Sequence, residues 1–195
     1  MKKHDDYLNT AANWLLDNLI MPEAPAGTPS PKVRVTRGWP RGASRRAKNM
    51  IAGACHPRAH SSDNHNEVFI NPTITGTVQI LDILCHELCH AIDDCQSGHR
   101  GAFARLARRI GLEGKLTATH AGADLKETLD FYIEEAGTCP TPPMTDKRTK
   151  PKQSTRMIKL QCSDCGFTAR TSRKWIERLT GYCPVCQNRT LASNV

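Results

Sequence analysis

The chain has no uninterrupted apolar run near the roughly 18 residues that a membrane-spanning helix needs. Its best stretch, Ile80 to Ile92, is broken by Asp82, His86, Glu87 and His90, so a helical membrane protein is excluded. The opening Met1-Lys2-Lys3 leads into Asp5 and Asp6 rather than an apolar segment with a small-residue cleavage site. No export leader is expected, and the cytoplasm is the expected compartment. An even set of cysteines is missing as well: there are nine, four of them in two Cys-x-x-Cys pairs. That argues against a disulfide framework and for reduced thiols with bound metal. No internal repeat is visible. What remains is a chain of 195 residues, enough for one domain with a real core and an appendage.

Positive charge is abundant, with 27 Lys and Arg against 19 Asp and Glu, and it comes in blocks. Residues 32–60 carry +8, residues 61–97 carry −6 and residues 151–195 carry +6. Such blocks attract polyanions, nucleic acid above all, through counterion release. The plainer alternative is a solvated basic surface.

Apolar spacing predicts a helix over Asp6 to Ile20, with Leu8, Ala11, Ala12, Leu15 and Leu19 on one stripe. A proline-rich run then leads to a short strand at Val33 to Val35, and Trp39-Pro40-Arg41-Gly42 reads as a turn. The stretch before Glu67, rich in Gly, His and Ser, is expected to be loop, and Glu67 to Asn71 a second strand. A core helix is predicted over Thr77 to Cys95, a further helix with His99, Phe103, Leu106 and Ile110 on one face, and another over Asp124 to Ala136. From about 141 to 156 the chain is rich in Pro, Lys and Arg and reads as a linker. The expected domains are therefore 1–140, the linker 141–156, and a small unit 157–195 that is too short for a core without metal.

Two constellations carry chemistry. His86-Glu87-Leu88-Cys89-His90 places two imidazoles one helical turn apart, so both reach one ion, with Glu87 beside a water on that ion. Zn²⁺ suits such donors and lowers the pKa of a bound water, from which Glu87 as general base would take a proton during attack on a peptide carbonyl. A third ligand is needed. The chain has Asp93 and Gln96 where one zinc-protease class would place a glycine and a histidine, so that class is excluded. His99 is the expected ligand, with Asp93, Asp94, Cys95, Glu113 and His120 as competitors. Cys85 and Cys89 are expected to be packing residues.

The second constellation is Cys162-x-x-Cys165 with Cys183-x-x-Cys186, two knuckles that close a four-thiolate structural zinc site. Gly166 supplies the left-handed residue that the first knuckle wants. Around it Arg170, Arg173, Lys174, Trp175 and Arg178 mix phosphate-neutralising and base-stacking groups in the way single-stranded nucleic-acid binders do.

Together, Trp39-Pro40, the strand Val68 to Pro72, His86-Glu-Leu-Cys-His-Ala91, Gly98-His99-Arg-Gly-Ala-Phe103 and the ribbon with Cys183-Pro-x-Cys186 resemble the SprT-like, Spartan-related family of zinc metalloproteases. The resemblance runs over about residues 5–190. It implies an α+β fold: a mainly helical zincin-like metalloprotease core with a small β-sheet, plus a small C-terminal zinc-ribbon domain. It implies one catalytic zinc on His86, His90 and His99 with Glu87 as general base, and one structural zinc on Cys162, Cys165, Cys183 and Cys186. It also implies DNA, single-stranded or partly unpaired, as a partner, and DNA-bound proteins as substrates. The edge of the strand around Phe69 to Asn71 is expected to align an extended peptide by strand addition. The rival expectation is a zinc-stabilised DNA-binding or transcription-related adaptor with a vestigial protease site.

Overall fold

The computed structural model describes residues 3–39, 51–140, 157–176, 182–187 and 191–193. The linker at 141–156, the Pro40-Arg41-Gly42 turn and Arg178 lie outside these residues. The chain divides into two compact units, Met1–Asp146 and Lys147–Val195. Both mix helices with small sheets, so the fold is α+β.

Helix α1 (Lys3–Leu15) opens the first unit and runs through a π turn at Leu16–Ile20 into α2 (Met21–Glu23). The predicted stripe holds up to Leu15, but Leu16 and Ile20 are then buried while Leu19 is only partly covered. The wider π turn adds a residue to the repeat and moves the buried face on by one position. Asn9 fastens this helix to the sheet: its amide donates to the Val35 carbonyl and its oxygen accepts from the Val35 amide, both at 2.9 Å.

Three strands form the first sheet in the order β1-β3-β2. β1 (Val33–Arg37) runs parallel to β3 (Asn66–Ile70), and β2 (Gly53–His56) antiparallel to it. β3 buries Asn66, Val68 and Ile70 on one face. Two expectations change here. Residues 53–56, expected to be loop, form a strand although Gly-Ala-Cys-His lacks the β-branched alternation that marks one. The strand near Phe69 is internal, paired on both sides, and so has no edge to offer a peptide. β1 and β2 are the outer strands.

Helix α3 (Thr77–Ile92) passes through the middle of the unit and buries Ile80, Leu81, Leu84, Cys85, Leu88 and Cys89. It stops three residues short of the expected end, because Asp94 and Cys95 adopt left-handed backbone, at φ 55° and 63°. α4 (Gly101–Arg109), a hairpin of β4 (Leu112–Lys115) and β5 (Ala118–Ala121), and α5 (Ala123–Ala136) complete the unit. The hairpin carries too little apolar alternation to be foreseen from sequence. No helix among the described residues is long and apolar enough to cross a membrane.

The second unit has β6 (Ile158–Cys162) between β7 (Thr168–Thr171) and β8 (Leu191–Ser193), all antiparallel, and the short helix α6 (Arg173–Ile176) among its described residues. Among its described residues, the buried side chains are Leu160 and the cysteines Cys162 and Cys183.

Candidate metal centres

The α3 helix sets His86 and His90 on one face, and their rings lie 5.1 Å apart. His99 reaches them from the loop after α3. It stands two residues before α4, not on its apolar side as expected, and Gly98, at φ 54°, makes the turn that delivers it. The Nε2 atom of His99 is 3.2 Å from that of His86 and 3.3 Å from that of His90. Three nitrogens at the corners of a zinc tetrahedron with bonds of about 2.05 Å stand about 3.3 Å apart. Two of the three separations match that spacing and all three donors lie within 4.8 Å of one another, so the set is compatible with zinc. Burial holds the His86 imidazolium pKa down to about 4 and that of His90 to about 3, with the neighbouring histidines adding to it; His99 is also lowered by burial. Burial therefore favours the neutral form of each ring, the form that can bind a metal.

Two neighbours pack against the triad. Phe103 stacks on His90, with ring centroids 4.0 Å apart and planes 15° from parallel, and meets His86 and His99 edge-on. Thr119 on β5 places its Oγ1 2.8 Å from His86 Nδ1. With Nε2 turned to an ion, Nδ1 carries the proton and donates to Thr119, which fixes the tautomer and the ring. Phe103 fell on the predicted apolar stripe, so its contact with the ligands had a signal. Thr119 had none, since it depends on the hairpin.

Glu87 follows His86 on the same helix and is 6% exposed. Burial pushes its carboxyl up to about 8, against the opposing effect of the Cys55 amide, which donates to it. Strand β2 lies across this carboxylate. A Cβ at Gly53 would stand 2.7 Å from Glu87 Oε1 and 2.6 Å from Ile83 Cγ2, closer than real Cβ atoms come. The four residues line one cleft of about 590 Å³, with β2 on one side and the β4–β5 turn at Thr117 to Thr119 on the other.

The competitors for the third position are engaged elsewhere. Asp93 accepts from the Ser97 amide. Asp94 accepts from the Arg58 amide and the Asn66 side chain. Glu113 and His120 face each other at 3.9 Å on exposed hairpin positions. Cys95 points at Cys55. Among the described residues, the His/Cys/Asp/Glu groups able to hold a metal are His86, His90 and His99, and the four ribbon cysteines.

In the ribbon, the Sγ atoms of Cys162 and Cys186 lie 3.6 Å apart and those of Cys165 and Cys183 3.4 Å apart. The two knuckles repeat one geometry. The Gly166 amide donates to the Cys162 carbonyl and the Gln187 amide to the Cys183 carbonyl, with left-handed backbone at Gly166, φ 74°, and at Gln187, φ 57°. Backbone amides, that of Cys165 first and then Asp164, aim at Cys162 and bring its thiol down to about 6. The four sulfurs form a group compatible with a structural zinc site.

Of the expected nucleic-acid residues, Arg170 on β7 is exposed and stands opposite Lys159. Lys174 Nζ lies 5.6 Å over the ring of the half-exposed Trp175 on α6. Arg173 begins that helix. Arg178 lies outside the described residues.

No protein-family model matches the chain, and no curated protein or solved structure is detectably similar to it.

Proposed function

We propose that the chain is a cytoplasmic zinc-dependent endopeptidase of the SprT-like kind, with a zincin-like core, that acts on proteins held on DNA and is guided there by its basic surfaces and zinc ribbon. One observation carries the peptidase reading: three imidazole nitrogens gathered within 4.8 Å of one another, with a buried carboxyl on the same helix and an open cleft in front. Zinc held by His86, His90 and His99 would supply an acidified water and polarise the substrate carbonyl.

The remaining steps belong to the chain. Glu87 takes the proton from the attacking water and returns it to the leaving nitrogen, a transfer suited by a carboxyl whose pKa burial has raised toward neutrality. The Cys55 amide and the bare Cα of Gly53 fix where that carboxyl stands. Thr119 keeps His86 in the ligating tautomer. An extended substrate would add to the outer edge of β2, which borders the cleft, in place of the internal strand first expected.

DNA binding rests on charge and exposure: +6 in residues 151–195, and Arg170, Lys174 and Trp175 on the ribbon surface. The rival adaptor needs the ribbon but has no use for Glu87. The deciding assay is cleavage of a DNA-bound protein by the zinc-loaded chain and by Glu87→Gln. Cleavage by the first alone supports the peptidase, and equal inertness of both supports the adaptor.

A further inference from the structure

Cys55 and Cys95 are 40 residues apart in sequence, yet their Sγ atoms stand 3.4 Å apart. Cys55 comes from β2 and Cys95 from the loop that joins His90 to His99. Both line the cleft and both are partly exposed, unlike Cys85 and Cys89, which are sealed in the core. We propose that Cys55 and Cys95 form a reversible disulfide in the cleft wall, closed by a hydroperoxide.

The backbone is arranged to bring these two sulfurs together. A helix that ends in left-handed conformation ordinarily places Gly or Asn there, because a Cβ costs about 1–2 kcal/mol in that region. Here Asp94 and Cys95 both adopt it. They are held by hydrogen bonds: the Arg58 amide and the Asn66 side chain each donate to Asp94 at 2.8 Å, the Asp94 amide donates to the Ala91 carbonyl at 3.2 Å, and the Cys95 amide donates to the His90 carbonyl at 2.8 Å. The result of that strained turn is a thiol aimed at Cys55.

The chemistry balances with one peroxide per pair. The Cys95 sulfur attacks one peroxide oxygen, the O–O bond breaks, and a sulfenic acid and one water form when the oxidant is hydrogen peroxide. The Cys55 sulfur then attacks the Cys95 sulfur. The S–S bond forms, the S–O bond breaks, and hydroxide leaves with the Cys55 proton as a second water. The adjacent Cys95 and burial raise the Cys55 thiol, with Glu87 and Asp94 adding to it. An external dithiol reverses the bond by exchange. Closing the sulfurs from 3.4 Å to about 2.05 Å draws β2, whose Cys55 amide holds Glu87, toward the loop that carries His99.

The test uses the full zinc-loaded chain, treated with hydrogen peroxide, alkylated, digested and mapped by mass spectrometry, so its outcome is independent of any catalytic activity. The expected product is a Cys55–Cys95 cross-linked peptide pair that dithiothreitol releases, absent in Cys95→Ser, with Cys85 and Cys89 alkylated only after denaturation. The melting temperature of the oxidised chain should rise, since a cross-link constrains the unfolded state. Recovery of Cys55 and Cys95 as separate thiols, or as separately over-oxidised residues, after the peroxide has been consumed would overturn the proposal. Pairing of either with a core or ribbon cysteine would overturn it as well.

Discussion

Gly53 lies so close to Glu87 that a single added methyl group would stand 2.7 Å from the carboxylate oxygen. The glycine lets an edge strand cross the general-base candidate at backbone distance. Gly53→Ala should move Glu87 or push β2 away, cost about 1–3 kcal/mol of stability as overpacking does, and lower peptidase turnover. Zinc content at the histidine site should stay the same, since no ligand touches Gly53. Thermal melting, metal analysis and a cleavage assay on one preparation check this; undiminished turnover would mean that the close approach has no part in holding the carboxylate.

Thr119 is the partner of His86 Nδ1. Thr119→Val keeps the shape and removes the acceptor, so zinc affinity at the three-histidine site should fall by about 10–100-fold. Thr119→Ser should restore it. Competition with a chelator of known affinity reads both, and equal affinity for all three chains would remove Thr119 from the site.

Asp82 stands one turn before His86 on α3, with one carboxylate oxygen buried and without a partner among the described residues. Burial raises its pKa from 3.8 to about 6, while His120 and the Ala121 amide pull the other way. Because the folded-state pKa lies above the unfolded one, the group imposes no penalty below about pH 4 and its full penalty above about pH 6. Asp82→Asn should therefore stabilise the fold by about 1 kcal/mol near neutral pH, a figure reduced for solvent screening, and by nothing near pH 4. Paired melting curves across that range decide it, and a gain of the same size at every pH would contradict the titration.

Among the described residues of the ribbon the buried side chains are Leu160 and two cysteines, so this unit should depend on metal more than on apolar packing. Cys165→Ser should release one zinc per chain and unfold the second unit, while the melting of the first unit stays unchanged. Two calorimetric transitions in the wild type, with one lost in the variant, are expected. DNA binding should weaken too, and Lys174→Ala with Arg170→Ala should reduce the salt dependence of affinity by about two contacts.

Much of this site was legible because it depends on local spacing. His86, Glu87 and His90 share one helical turn, and the paired cysteines share a knuckle, so period and turn chemistry placed them. His99 was placed by distance along the chain and by elimination, and only its position before α4, not on it, was misjudged. The parts that stayed hidden depend on contacts between distant segments. Gly53 to His56 is a strand because β3 offers it an edge, not because its residues favour one. Thr119 reaches His86 through a hairpin without an apolar signature. The peptide-aligning edge was assigned to the strongly patterned strand, but strong β patterning marks the centre of this sheet, and the weaker strand lies at its rim.

The most direct measurement is anomalous X-ray scattering at the zinc edge from crystals of the full chain grown with zinc. Two peaks per molecule are expected, one within about 2.1 Å of the Nε2 atoms of His86, His90 and His99 and one among the four ribbon sulfurs. A single peak at the ribbon, with the three imidazoles bare in the presence of excess zinc, would contradict the account.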